Sequence, residues 1–352
     1  MIFEHLGNDN EEQQWANYRV NETPSKGVMM WGKMTEPYNQ VTMGYASSSN
    51  FNRMGHVSRG FSHKRLIGYA ESHDEERLMY NNITHGNGDI QNENIALSRM
   101  PALGAITLTI PGPKMIWHFG ELGMDNSIHT CTNGSYDNNC RLATKPQPQW
   151  VENWEGTSNR KAIYNAWSRI NYLKVNEAVF EGSYSINSGN LTPKLYIWDD
   201  NIPTTELKNI VIISNFTNNS QNVVPNFPYT GNWYDLMDET GNTVLGVTNT
   251  TNPINLPAGG FKIYGNKSST LSTSNHQINN LVSLYPNPAK NHFNLNQTVK
   301  SVRIFDMQGK VVKDFTGDFK EGYSFDIDNL SKGLYLVKIE TTKYKTTIKL
   351  IK

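Results

Sequence analysis

The feature that most constrains this chain is a change in the period of its apolar residues near residue 177. Before it, short apolar runs alternate with stretches of helical apolar spacing, the pattern of βα units. After it the runs shorten, polar and apolar residues alternate, and turn signals such as Glu239-Thr240-Gly241-Asn242 and Pro257-Ala258-Gly259-Gly260 separate them. That is the pattern of an antiparallel sheet packed on one face. A Ser-, Thr- and Asn-rich stretch at 267–280 reads as a linker. The chain is therefore read as multidomain: α/β over 1–176, an antiparallel β-sandwich over 177–266, the linker, and a compact β unit over 281–352.

Within the first block, strands are expected at 1–4, 27–32, 66–70 and 114–120, and helices at 11–18, 92–108 and 161–174. The last helix places Ile163, Trp167, Ile170 and Leu173 on one face. Pro101 falls inside the second helix as a kink or first-turn residue, and Pro111-Gly112-Pro113 ends it. Residues 39–59 read as loop with one short helix. A closed eight-stranded α/β barrel takes about 250 residues, so four strands fit half of one. They fit an open doubly wound sheet equally well.

Two of these strands end abruptly in ionisable groups. The run Leu66-Ile67-Gly68-Tyr69-Ala70 empties into Glu71-Ser72-His73-Asp74-Glu75-Glu76-Arg77, and the first strand ends in Glu4-His5. In parallel α/β sheets the C-terminal strand ends are where chemistry sits. A structural reading competes: Ser72 or Asp74 caps a helix, with Glu75 and Glu76 favoured by its dipole. Further candidates follow the last strand: Glu121 and Asp125, then Arg141 and Lys145 before Pro146-Gln147-Pro148-Gln149-Trp150. Trp31, Tyr38 and Tyr45 have ring faces suited to stacking on sugars, with core packing the alternative for Trp31.

Thirty-two basic residues balance thirty-two acidic ones, which argues against a nucleic-acid binder. No apolar run is long enough to span a membrane. Residues 1–5 do not read as a signal peptide. The two cysteines, Cys131 and Cys140, enclose a turn-rich segment that one disulfide would close in an oxidising compartment; two separate thiols are the alternative. His129 has no companion at zinc-ligand spacing.

Three segments carry a family resemblance. The run 71–77, with His73-Asp74 at its centre, resembles the fourth short region of the α-amylase family, glycoside hydrolase family 13, at the end of barrel strand seven. Ile2-Phe3-Glu4-His5 resembles the third region at the end of strand five, and 110–121 resembles the strand-eight segment, a Pro-Gly turn before a strand ending in Gly-Glu. The resemblance covers about half the chain. It implies a partial (β/α)8 barrel, strands five to eight, followed by that family's β-sandwich.

It also implies a retaining mechanism with two carboxyl groups about 5–5.5 Å apart. Glu4 takes the place of the acid/base, Asp74 that of the transition-state stabiliser, and His73 that of a hydrogen-bond donor to sugar. His5, Glu121, Arg141 and Trp31 take places in the substrate cleft. The nucleophile, its Arg-x-Asp context and the first Asn-His region have no counterpart here and would precede Glu4. Glu11 and Glu12 are weak substitutes, expected on an exposed helix. The polypeptide is therefore read as the C-terminal portion of an α-glucan hydrolase, inactive by itself, whose signal peptide would lie in the preceding part. The implied partner is an α-glucan such as starch or glycogen, and calcium is implied only for a full-length parent. A branching enzyme-like transferase and a non-catalytic surface glycan-binding or adhesive protein are the alternatives.

The last block resembles the type A sorting domain of the type IX secretion system of Bacteroidetes. The matching features are Tyr-Pro-Asn-Pro at 285–288, Ile-Phe-Asp-Met-Gln-Gly-Lys at 304–310 and Gly-Leu-Tyr-Leu-Val-Lys-Ile at 333–339. This resemblance implies the type IX machinery as partner and a secreted or cell-surface location.

Overall fold

A computed structural model describes residues 1–5, 7–142, 152–270, 282–342 and 345–352. Lys145, residues 146–150 and most of the expected linker lie outside these. The chain forms two compact units, Met1–Thr270 and Leu271–Lys352.

The first unit opens with β1 (Ile2–Phe3), α1 (Asp9–Asn17), β2 (Met29–Lys33), α2 (Thr35–Thr42), β3 (Leu66–Tyr69), α3 (Leu78–His85), α4 (Glu93–Thr107), β4 (Lys114–Met115) and α5 (Ser158–Asn176). The four strands pair in the order β1-β2-β3-β4. Every pairing is parallel, with Phe3 opposite Met30, Trp31 opposite Ile67 and Tyr69 opposite Met115. Sequential order gives no point among these four strands at which the winding reverses. One sheet face packs on α1, where Phe3, Met30 and Leu66 meet Ala16. On the other side Ile2, Glu4, Trp31, Ile67 and Met115 line an open hollow of about 670 Å³.

Residues 1–176 and 177–266, separate domains in the sequence reading, share one core. It runs from Met100, Leu103, Trp167 and Ile170 to Ile197, Ile210, Ile212 and Phe216. Arg99, 1% exposed, ties the layers: its guanidinium donates to the carbonyls of Thr42 (2.9 Å), Thr217 (3.2 Å) and Phe216. The β part comprises β5 (Ser183–Asn187), β6 (Lys194–Trp198), β7 (Asn209–Ser214), β8 (Gln221–Val223), β9 (Gly231–Asp235), β10 (Val244–Val247), β11 (Ile254–Leu256) and β12 (Phe261–Gly265). Six of these form the sheet β10-β9-β12-β7-β6-β5, and β11 pairs β8. Strand β7 is buried along its whole length because helices cover one face and the aromatic cluster of Trp233, Phe227 and Tyr264 covers the other.

Several elements differ from the sequence reading. The expected strand at 114–120 stops at Met115, since the backbone turns and Phe119 takes a left-handed φ of 58°. Helix α2 begins ahead of the stretch 39–59, read as loop with one short helix; its polar and β-branched residues hide the signal, and burial of Tyr38 and Val41 supplies the drive. Helix α4 accommodates Pro101 at mid-length and is buried almost all round from Ala96 to Thr107, with Asn92 capping its first turn.

The second unit has β13 (Leu284–Tyr285), β14 (His292–Leu295), β15 (Val299–Phe305), β16 (Val311–Phe319), β17 (Phe325–Asp326), β18 (Leu334–Glu340) and β19 (Lys345–Ile351). They make the sheets β13-β14-β17 and β16-β15-β18-β19, all antiparallel. The inward set Val302, Ile304, Val337, Ile339 and Phe293 forms its core.

Candidate active site

Parallel pairing puts the strand exits on one rim. Glu4 lies one residue past β1, and His73 and Asp74 leave β3 after Ala70-Glu71-Ser72. There the three side chains meet: His73 Nε2 is 3.8 Å from a Glu4 carboxylate oxygen and 3.6 Å from one of Asp74. One ligand-type atom from each of the three lies within 4.8 Å of the others. All three are exposed, at 39%, 43% and 50% of the side chain for Glu4, His73 and Asp74. Such a trio offers two carboxylate acceptors and an imidazole that donates or accepts, and could bind sugar hydroxyls or a cation equally. The His73 ring stands between Trp31 and Trp117, each 5.9 Å away. Trp31 also meets the Tyr69 ring edge-on at 5.3 Å, so it lines the hollow beside Glu4 with its orientation held.

The rest of the charged run is scaffold. Glu71 is buried, and its carboxylate accepts the Leu78 amide at 2.6 Å, so it caps α3 in place of Ser72 or Asp74. Burial pushes its pKa up, and the neighbouring Arg77 charge pulls it back. Arg77, also buried, donates to the carbonyls of Ser72 (2.6 Å) and Glu75 (3.0 Å), which bends the loop carrying His73 and Asp74 outward. Glu75 pairs with Lys33 at the end of β2, at 2.6 Å, and accepts from the Ser72 hydroxyl. Glu76 reaches the next loop, accepting from the Ser127 hydroxyl and the Ile128 amide, both at 2.7 Å.

That loop leads to the disulfide joining Cys131 and Cys140. The chain leaving it brings Arg141 back to the site, where its guanidinium donates to the Asp74 carbonyl at 2.9 Å. Other sequence candidates go elsewhere. His5 turns toward Glu11, 3.5 Å away. Glu12 is 2% exposed rather than on a solvated face, and its carboxylate sits 3.2 Å from Arg59. Asp125 is bound by Arg160 at 3.0 Å. Glu121 lies in the turn after β4, where its charge bears on buried Glu71. Tyr38 is core, stacked on Phe51 with its hydroxyl donating to the Ile106 carbonyl. Tyr45 donates to the His85 carbonyl.

Sequence reasoning passed over Trp117, Lys33 and Ser127. Trp117 fell inside the expected strand at 114–120, and only the early end of that strand brings it to the rim.

The first unit joins a parallel α/β sheet to an antiparallel β part, and the second is an antiparallel β module. Residues 283–352 match the family described as "Secretion system C-terminal sorting domain", which supports export to the cell surface or beyond. No curated protein matches the chain. Among solved structures, it resembles AmyP in complex with maltose, with a TM-score of 0.55 and 15% identity over 77% of this chain and 56% of that one. A variant of AmyP bound to maltotriose gives 0.54 at 14% identity, with the same coverage. An α-amylase from Anoxybacillus, at 12% identity over 76% of this chain and 52% of that one, gives a TM-score of 0.48. The chain thus spans about half the length of the structures it resembles.

Proposed function

We propose that the first unit is part of the catalytic domain of an exported, retaining α-glucan hydrolase. The observation that carries this reading is the meeting of Glu4, His73 and Asp74 on one rim of a parallel sheet. The sequential strand order supports reading β1 to β4 as strands five to eight of an eight-stranded barrel, and the hollow beside Trp31 as its interior. Both bound ligands in the AmyP structures are malto-oligosaccharides, which fits the same substrate class.

On this reading Glu4 protonates the leaving glycosidic oxygen and later deprotonates the attacking water. Asp74 accepts hydrogen bonds from sugar hydroxyls and His73 donates one, holding the ring as it flattens toward the transition state. Arg141 positions Asp74 through the backbone. The cluster contains two carboxylates among the described residues, while Glu11, Glu12, Glu75, Glu76 and Asp125 are engaged with other partners. On this reading neither cluster carboxylate takes the nucleophile's place, and the 352-residue chain by itself turns over no glucan.

The test is starch hydrolysis by the parent polypeptide, read as reducing ends released. Glu4→Gln is expected to cut the rate by at least about a hundredfold, the scale of general acid–base catalysis. Full activity in that variant overturns the assignment. Starch binding with no turnover in the unmutated parent would make this a surface glycan-binding protein instead.

A further inference from the structure

The β part of the first unit holds a recess of about 540 Å³ that uses no residue of the Glu4–His73–Asp74 cluster. Its volume falls in the range of small-ligand pockets. Tyr196 and Tyr229 line it, and a hydrogen-bonded relay holds both. The Tyr196 hydroxyl donates to Asn209 Oδ1 at 2.6 Å, and Asn209 Nδ2 donates to the Tyr229 oxygen at 3.1 Å. Asn209 is 6% exposed, and its own amide is fixed on Asn266 Oδ1 at 2.9 Å. Because Tyr229 accepts from Asn209, its hydroxyl proton is left to donate. The rings are braced from behind: Tyr196 stacks on Trp198 at 4.8 Å, and Tyr229 packs on Trp233 at 5.2 Å.

The remaining lining is Pro228 and polar side chains of both hydrogen-bonding senses. Asp200, 84% exposed, supplies an acceptor; Lys208, 3.8 Å from it, supplies a donor, and Thr204 a hydroxyl. Preset aromatic rings combined with acceptors and donors suit a pyranose, which has apolar C–H faces and hydroxyls that each donate and accept. Asp200 stands among Lys208 and Lys267 in the lining, and the polar groups disfavour a purely apolar ligand.

We propose that this recess is a second, non-catalytic oligosaccharide-binding site, which takes an α-glucan chain; the choice of glucan rests on the function proposed above. Two sites on one body would raise the local concentration of a long polysaccharide at the catalytic rim.

The test is calorimetric titration of the 352-residue protein with maltoheptaose and, separately, celloheptaose. Maltoheptaose binding at the recess should persist in Asp74→Asn within about twofold, weaken about tenfold or more in Tyr229→Ala, and weaken about threefold in Asp200→Ala, an exposed position. Tyr229→Phe, which keeps the ring, should fall between wild type and Tyr229→Ala. Maltoheptaose binding that ignores both Tyr229→Ala and Asp200→Ala, or displacement by inorganic phosphate, overturns the site. Binding lost entirely in Asp74→Asn likewise overturns it while leaving the proposed function standing. Tyr229-dependent binding of celloheptaose alone keeps the recess as a sugar site and refutes the α-glucan reading instead.

Discussion

Truncating Glu76 should undock the disulfide loop from the candidate site without unfolding the protein. Its carboxylate accepts two hydrogen bonds from that loop, from Ser127 Oγ and the Ile128 amide, each 2.7 Å long. A hydrogen bond to a charged group is worth about 1.5–3 kcal/mol. The pair sits at a partly exposed surface, so solvent screening brings the sum down to about 2–4 kcal/mol. Inside the loop, the disulfide and the Thr130–Tyr136 bridge remain, so Glu76→Ala changes docking and leaves the loop's own shape. Native-state hydrogen exchange reads this directly. The Ile128 amide should exchange roughly 30- to 1,000-fold faster, because each 1.4 kcal/mol is a factor of ten. Glu76→Gln keeps one carbonyl acceptor and should fall midway. Ile128 exchange within about threefold of wild type in Glu76→Ala would refute the docking argument, and with it the route by which Arg141 reaches Asp74.

Two other perturbations probe the frame. Arg160, 5% exposed, holds the carbonyls of Leu122 and Gly123 and the carboxylates of Glu93 and Asp125, so Arg160→Ala should cost about 3–5 kcal/mol in urea unfolding. Arg160→Lys should recover little of it, since an ammonium cannot span that fork, and a loss under about 1 kcal/mol would contradict the clamp. Burial, with help from the Lys64 and Lys114 charges, pushes the pKa of His56 from 6.5 down to about 4. The unfolded chain therefore takes up a proton that the folded chain refuses. The stability contributed above pH 6.5 is lost as pH falls from 6.5 toward 4. His56→Gln should flatten the thermal-unfolding curve across that window; parallel curves for the two proteins would rule out His56 as the cause.

How much of this was legible in the sequence follows from how local each signal is. The face of α5 was readable because Ile163, Trp167, Ile170 and Leu173 repeat at helical spacing and all end up buried. The meeting of Glu4 with His73 was readable only through strand ends of one kind, because residues 69 positions apart share no local pattern. The charged knot at 71–77 looked like one site or one helix start. It is neither throughout: Glu71, Glu75, Glu76 and Arg77 serve partners at Leu78, Lys33, Ile128 and Ser72, while His73 and Asp74 face solvent. Partners supplied by other loops leave no trace in the neighbouring sequence. The same holds for Glu12, whose burial depends on Arg59, and for Tyr38, whose stacking partner Phe51 sits beyond its own helix.

The account stands most directly on whether His73 touches sugar. Its ring protons can be followed by NMR in the 352-residue protein as maltoheptaose is added. The expected result is a saturable shift of the His73 signal that disappears in Asp74→Asn. A His73 signal that stays fixed at saturating maltoheptaose, or that moves equally in the variant, would contradict the site.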